Sequence, residues 1–87
     1  MAREARTDRT GVDRTIKRNL IIAESAMETN AVITFTYRKQ DGSTSSRTGT
    51  VDEIQQTGRG PRVWLVSGDT RKQFDPAYMT RATLSAR

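Results

Sequence analysis

Residues 31–38 read AVITFTYR, and Lys39-Gln40-Asp41-Gly42 follows. In an extended chain successive side chains face opposite ways, so Ile33, Phe35 and Tyr37 share one face while Val32, Thr34, Thr36 and Arg38 share the other. Such alternation marks a strand with one buried side, and the Asp-Gly pair after it predicts a tight hairpin. The return strand is expected over Ser45 to Ile54, with Gly49 at a bend or bulge. Gly58-Arg59-Gly60-Pro61 reads as the next turn and Arg62 to Val66 as a strand. A Ser67-Gly68-Asp69 turn, a strand over Thr70 to Phe74, a break at Asp75-Pro76 and a last strand near Thr80 to Leu84 complete the pattern.

Ahead of these strands the period changes. Val12, Ile16, Leu20, Ala23 and Met27 recur at intervals of three and four, which is a helical stripe. Asp13 is suited to cap its start and Asn30 to stop it. Ile21 and Ile22 lie away from the centre of that stripe, as the flank of a wide core face or as a contact for a second chain. Before the helix, residues 1–11 alternate Arg3, Arg6 and Arg9 with acidic and polar neighbours, and a flexible basic arm is expected there. Residues 12–87 then form a single helix-plus-strands domain.

The chain has 87 residues, no cysteine and no histidine. Neither disulfides nor thiolate or imidazole metal sites can reinforce a small core, so packing must hold it. Without an imidazole or a thiol, a serine or threonine nucleophile lacks its usual base. Asp52 and Glu53, adjacent on a strand, would point to opposite faces and could not act as a dyad. No cofactor motif is present: Gly58-Arg59-Gly60 runs into Pro61, which removes a backbone donor that a phosphate cradle needs. The expectation is a non-enzymatic protein with no catalytic residue, metal or cofactor. With no apolar run long enough to span a membrane and a polar start, it is expected to be cytoplasmic.

A helix followed by five short strands with tight turns predicts a mostly β, α+β architecture: a strongly bent sheet closing into a small barrel of the Sm-like or SH3-like kind, with the N-terminal helix over one end. The succession of a helix, the Ile33-x-Phe35-x-Tyr37 strand, the Asp41-Gly42 hairpin, Ser46-Arg47 on the return strand, Val63-Trp64-Leu65-Val66 and Lys72-x-Phe74 resembles the WYL domain. The likeness covers about residues 16–85. Trp64, Leu65 and Val66 stand where that family carries its Trp-Tyr-Leu triplet, and only the tryptophan is kept. Phe74-Asp75-Pro76-Ala77-Tyr78-Met79 departs from the family's basic segment. The resemblance implies a regulatory, Sm-like barrel that senses nucleic acid or nucleotides, here free-standing, as in small phage proteins. The same plan is similar to small inhibitors of the Rho termination factor, which act by protein contact.

The net charge of +5, carried by twelve Arg and three Lys against ten acids, favours an acidic partner. Tyr37, Arg38, Lys39, Arg47, Arg59 and Arg62 come from two neighbouring hairpins and are the candidate nucleic-acid-binding residues, with Tyr37 as a stacking platform and Tyr78 as its alternative. Ile21, Ile22 and Trp64 are the candidate partner-binding residues. They would serve a phage-type module acting on a host transcription or division protein, or a homo-oligomer that also uses free strand edges. On the Val63–Val66 strand, Val63 and Leu65 share one face and Trp64 and Val66 the other, so only one pair can fill the core. Phe35 and Phe74 are expected in the core, Arg71 and Lys72 on opposite faces of their strand, and Arg81 beside Asp75.

Overall fold

The computed structural model describes residues 2–86, with side chains from Gly11 onward. The expected arm, with Arg3, Arg6 and Arg9, falls on side chains outside that range. Helix α1 spans Ala2–Thr29, followed by strands β1 (Val32–Arg38), β2 (Thr44–Thr57), β3 (Gly60–Ser67), β4 (Thr70–Phe74) and β5 (Met79–Ser85). A short 3-10 turn, η1 (Pro76–Tyr78), joins β4 to β5. All strand pairings are antiparallel, in the order β4-β3-β2-β1-β5.

Asp13 lies inside α1 and caps nothing, because the helix passes through it. Asn30 does end the helix. Its φ of 56° puts it in the left-handed region, and Ala31 N–H donates to the Ala26 carbonyl (3.0 Å) while Asn30 N–H donates to that of Met27 (3.4 Å). These two bonds are the reciprocal pair of a Schellman stop, which asparagine tolerates better than other side chains bearing a Cβ. The buried stripe of α1 runs through Asn19, Ala23 and Ala26, with Leu20 and Ile22 packed beside it. It is rotated from the stripe read off the aliphatic residues, because one of its fully buried positions is held by an asparagine.

That asparagine is 1% exposed. Its amide Nδ2 donates to the carbonyls of Pro76 (2.8 Å) and Met79 (2.9 Å), one at each end of η1. A buried polar side chain is tolerated only when it is hydrogen-bonded, and here one amide group ties the carbonyls of Pro76 and Met79 to the helix, the first of which also accepts from Met79 N–H.

Strand β2 is the longest, and it serves two halves of the sheet. Up to Gly49 it pairs with β1 (Ile33 opposite Gly49), and from Thr50 it pairs with β3 (Thr50 opposite Val66). At the handover a Cβ on residue 49 would run into the Val66 carbonyl oxygen and come within 3.1 Å of Leu65 Cγ, so only glycine lets the two strands approach. Immediately beyond, the register shifts between Val51 and Glu53, a bulge that bends the strand further. The β1–β2 turn closes with Lys39 N–H donating to the Ser43 carbonyl (2.8 Å), Gly42 N–H donating to that of Lys39 (3.0 Å), and φ of 89° at Gly42. Glycine accommodates that angle without strain.

The core gathers Ile33, Phe35, Val51, Val63, Leu65, Phe74 and Met79 from the sheet under Ala23 and Ala26 of the helix. Phe35 and Phe74 are core as expected, at 1% and 5% exposure. Their rings meet edge to face, 5.3 Å between centres. The expected barrel does not form: the sheet is bent but open, with β4 and β5 at its two edges. The physical reason lies at Asp75-Pro76. Proline ends β4 after five residues and diverts the chain into η1, and β5 then pairs with β1 on the far side of the sheet.

Two substitutions test this account by urea unfolding. Asn19→Ala is expected to lower stability by roughly 2 kcal/mol, because two buried carbonyls each lose a donor that ties the turn to the helix. Asn19→Asp should lose more at neutral pH and regain part of it in acid, where a protonated carboxyl can donate again. Gly49→Ala is expected to cost roughly 1–3 kcal/mol by overpacking against backbone, while Gly58→Ala, whose added Cβ meets nothing, leaves the midpoint nearly unchanged.

Candidate nucleic-acid interface

Two elements build the principal concavity: the β1–β2 hairpin, and the segment in which β4 gives way to η1. It is a groove of about 710 Å³ whose lining includes Tyr37, Arg38, Lys39, Arg62, Asp75 and Tyr78, with Gln40 and Gln73 at its margin. Asp75 organises the groove from below. One carboxylate oxygen accepts from Ala77 N–H (2.9 Å) and caps η1, while the other lies 3.6 Å from Arg62 Nη1. The Asp75 amide donates to the Tyr37 hydroxyl (3.2 Å). Arg62 also donates to the Pro61 carbonyl (2.7 Å), which fixes its guanidinium at the groove wall.

The aromatic lining is shared unequally. Tyr37 is half-buried, its ring edge-on to Phe74 (4.8 Å) and to Tyr78 (6.4 Å). Tyr78 is 41% exposed, and Arg38 Cζ stands over its ring at 5.5 Å. The more open stacking surface is therefore Tyr78, with Tyr37 as its support. Arg38 and Lys39 form no ion pair among the described residues, and Asp75 is the only carboxylate in the lining. Asp41, on the same hairpin, is turned inward on Ser43, whose hydroxyl (2.6 Å) and amide (2.9 Å) both donate to it and hold its carboxyl below the ordinary range.

Of the six nucleic-acid candidates, Tyr37, Arg38, Lys39 and Arg62 thus come together. Arg59 does not: it is exposed in the β2–β3 turn, where its amide donates to Thr57 Oγ1 (3.2 Å), and it is absent from the groove lining. Arg47 sits opposite Phe35 on the concave side, with its Cζ 5.6 Å from the Phe74 ring centre, and lines a neighbouring smaller cavity. Asp75, Gln40 and Gln73 were not singled out by sequence reasoning. Of these, only Asp75 carried a signal, its place before proline at a strand end, where a carboxylate commonly caps a turn.

The three partner candidates do not share one surface. Ile21 is 56% exposed on the outer side of α1, whereas Ile22 packs against the core. Trp64 is half-buried on the opposite side of the sheet from Val63 and Leu65. Its Nε1 donates to Gln55 Oε1 (2.8 Å), and Arg71 Cζ lies 4.1 Å above its ring. Arg71 in turn donates to Asp52 (2.6 Å) and Glu53 (2.9 Å), and Asp52, then Glu53, push its pKa up. The expectation that these two carboxylates face opposite ways fails because the Val51/Glu53 bulge breaks the alternation and brings both to one guanidinium. Arg71 and Lys72 do take opposite faces, Lys72 lining the smaller cavity. Arg81 does not pair with Asp75, whose partner is Arg62. It occupies a left-handed position (φ 54°) where β5 shifts register against β1.

No family model, curated protein or solved structure matches the chain. Among the described residues, no helix is long and apolar enough to cross a membrane.

Because Trp64 is the sole tryptophan, its emission reports on the Arg71 stack directly. Arg71→Ala is expected to shift that emission to longer wavelength and to raise its quenching by acrylamide, whereas Lys72→Ala leaves both unchanged.

Proposed function

We propose that this protein is a non-enzymatic regulatory module that binds single-stranded nucleic acid or a nucleotide in the groove between the β1–β2 hairpin and η1. The observation that carries this reading is the convergence of Arg38, Lys39 and Arg62 with the exposed ring of Tyr78 around one concavity of nucleotide size. A base offers a π face to Tyr78, and Arg38 already lies over that ring. Phosphates on either side of the base would meet the unpaired charges of Arg38 and Lys39. The succession of elements and motifs that resembles the WYL domain supports the same class of ligand, as does the net charge of +5.

The alternative, a phage-type module that grips a host protein through Ile21, Ile22 and Trp64, has less support. Those side chains lie on separate surfaces, and Trp64 is already covered by Arg71.

The test is fluorescence anisotropy with short labelled single-stranded RNA and DNA. If about three phosphates are neutralised, affinity should fall on the order of twentyfold as salt rises from about 50 to about 200 mM. Tyr78→Ala should cost about 1–3 kcal/mol of binding, the usual worth of a stacked base. Arg38→Ala with Lys39→Ala should flatten the salt dependence, whereas Arg59→Ala should change little. No binding at the lower salt, or binding insensitive to Tyr78, would overturn the reading.

A further inference from the structure

A second cavity, of about 150 Å³, opens on the concave side of the sheet where the start of β2 faces the β3–β4 hairpin; its lining includes Arg47, Leu65, Ser67, Thr70, Lys72 and Phe74. Alternation along the strands accounts for this set. Phe74 is buried, so Lys72 and Thr70 share its face of β4; Leu65 is buried, so Ser67 shares its face of β3. Cross-strand register then places Leu65 beside Lys72 and Ser67 beside Thr70. Arg47 comes from β2 opposite Phe35.

The electrostatics of this cavity are one-sided. Arg47 is half-buried, and its Nε donates to Ser45 Oγ (3.1 Å) while its guanidinium lies over Phe74. Neither Arg47 nor Lys72 forms an ion pair among the described residues, and no acidic residue lines the cavity. Two cations that border one cavity repel one another. The nearly buried Leu65 and Phe74 reduce the water available to screen them, which raises the gain from an anion placed between them. The hydroxyls of Ser67 and Thr70 can donate to the same anion.

Size narrows the ligand. The volume equals about five waters at liquid density, enough for a tetrahedral oxyanion with part of its hydration and too small for a base with its sugar. We propose that this cavity binds a phosphoryl group through Arg47 and Lys72, with Ser67 and Thr70 as hydroxyl donors. The Phe74 ring stands between it and the larger groove, touching Arg47 on one side and Tyr37 on the other. Free inorganic phosphate and the terminal phosphate of an oligonucleotide present the same chemistry here. Only the second source rests on the nucleic-acid reading above.

Thermal unfolding with inorganic phosphate, against sodium chloride at matched ionic strength, tests the site alone. Phosphate should raise the midpoint of the wild-type protein, and Lys72→Gln or Arg47→Gln should weaken its apparent affinity about tenfold. Lys72 is exposed, so its variant keeps the fold even if that of Arg47 does not. Arg38→Gln with Lys39→Gln should leave the effect intact. A second arm compares oligonucleotides bearing a 5′-phosphate, a 3′-phosphate or neither. Tighter binding of one phosphorylated form, lost in Lys72→Gln, identifies a strand terminus as a source. Equal binding of all three with the phosphate effect retained identifies free phosphate. If phosphate stabilises no more than chloride does, or its effect disappears with Arg38 and Lys39 instead of Arg47 and Lys72, the inference is overturned, and oligonucleotide binding in the larger groove stands or falls separately.

Discussion

The groove depends on one buried amide. Asn19 projects from the middle of α1 and donates to Pro76 and Met79, at the two ends of the turn that carries Tyr78 and follows Asp75. Three residues of 3-10 turn at the edge of an open sheet have little stability of their own. Tied to the helix from one side and to the Tyr37 hydroxyl through the Asp75 amide from the other, they hold Tyr78 under Arg38 and Asp75 beside Arg62. The residues that line the groove thus rest on the same contact that docks helix on sheet.

The second constraint is the course of β2. A strand serving both halves of the sheet must bend, and Gly49 permits this by omitting the side chain that would strike the Val66 carbonyl. The bend makes the sheet concave without closing it. On the concave side Phe74 separates a wide groove from a small cavity; among the described residues Arg38 and Lys39 at the first and Arg47 and Lys72 at the second lack carboxylate partners, while Arg62 in the groove is paired with Asp75. On the convex side the bulge after Val51 produces the reverse outcome, since Asp52 and Glu53 neutralise Arg71 and leave it stacked on Trp64. Which cations are paired and which are not is a distribution the net charge alone does not reveal.

Much of the element order was legible because strand alternation and turn chemistry are local. Ile33-x-Phe35-x-Tyr37, the Asp41-Gly42 turn and the Asn30 stop can all be read from neighbours in sequence. Closure was not legible: whether β4 meets β5 depends on where Pro76 sends the chain, which is a property of the whole sheet. Asn19 was missed for a similar reason, because an asparagine inside an aliphatic stripe looks like an exposed position until its distant carbonyls are known. The opposed facing of Asp52 and Glu53 failed because a bulge leaves little mark in sequence when no glycine or proline sits within it. For the groove, the hairpin cations were visible as types, but the choice of Arg62 over Arg59 required the fold. So did the promotion of Tyr78 over Tyr37.

The most direct test of the central claim is a nitrogen-15 correlation spectrum recorded during titration with a short single-stranded oligonucleotide at low salt. A ligand seated in the groove predicts amide shifts concentrated at Arg38 to Gly42, Arg62, Gln73 and Tyr78, with Ile21 and Trp64 unmoved. Shifts confined to the outer side of α1 or to the Trp64–Arg71 face, or none at saturating ligand, would contradict it.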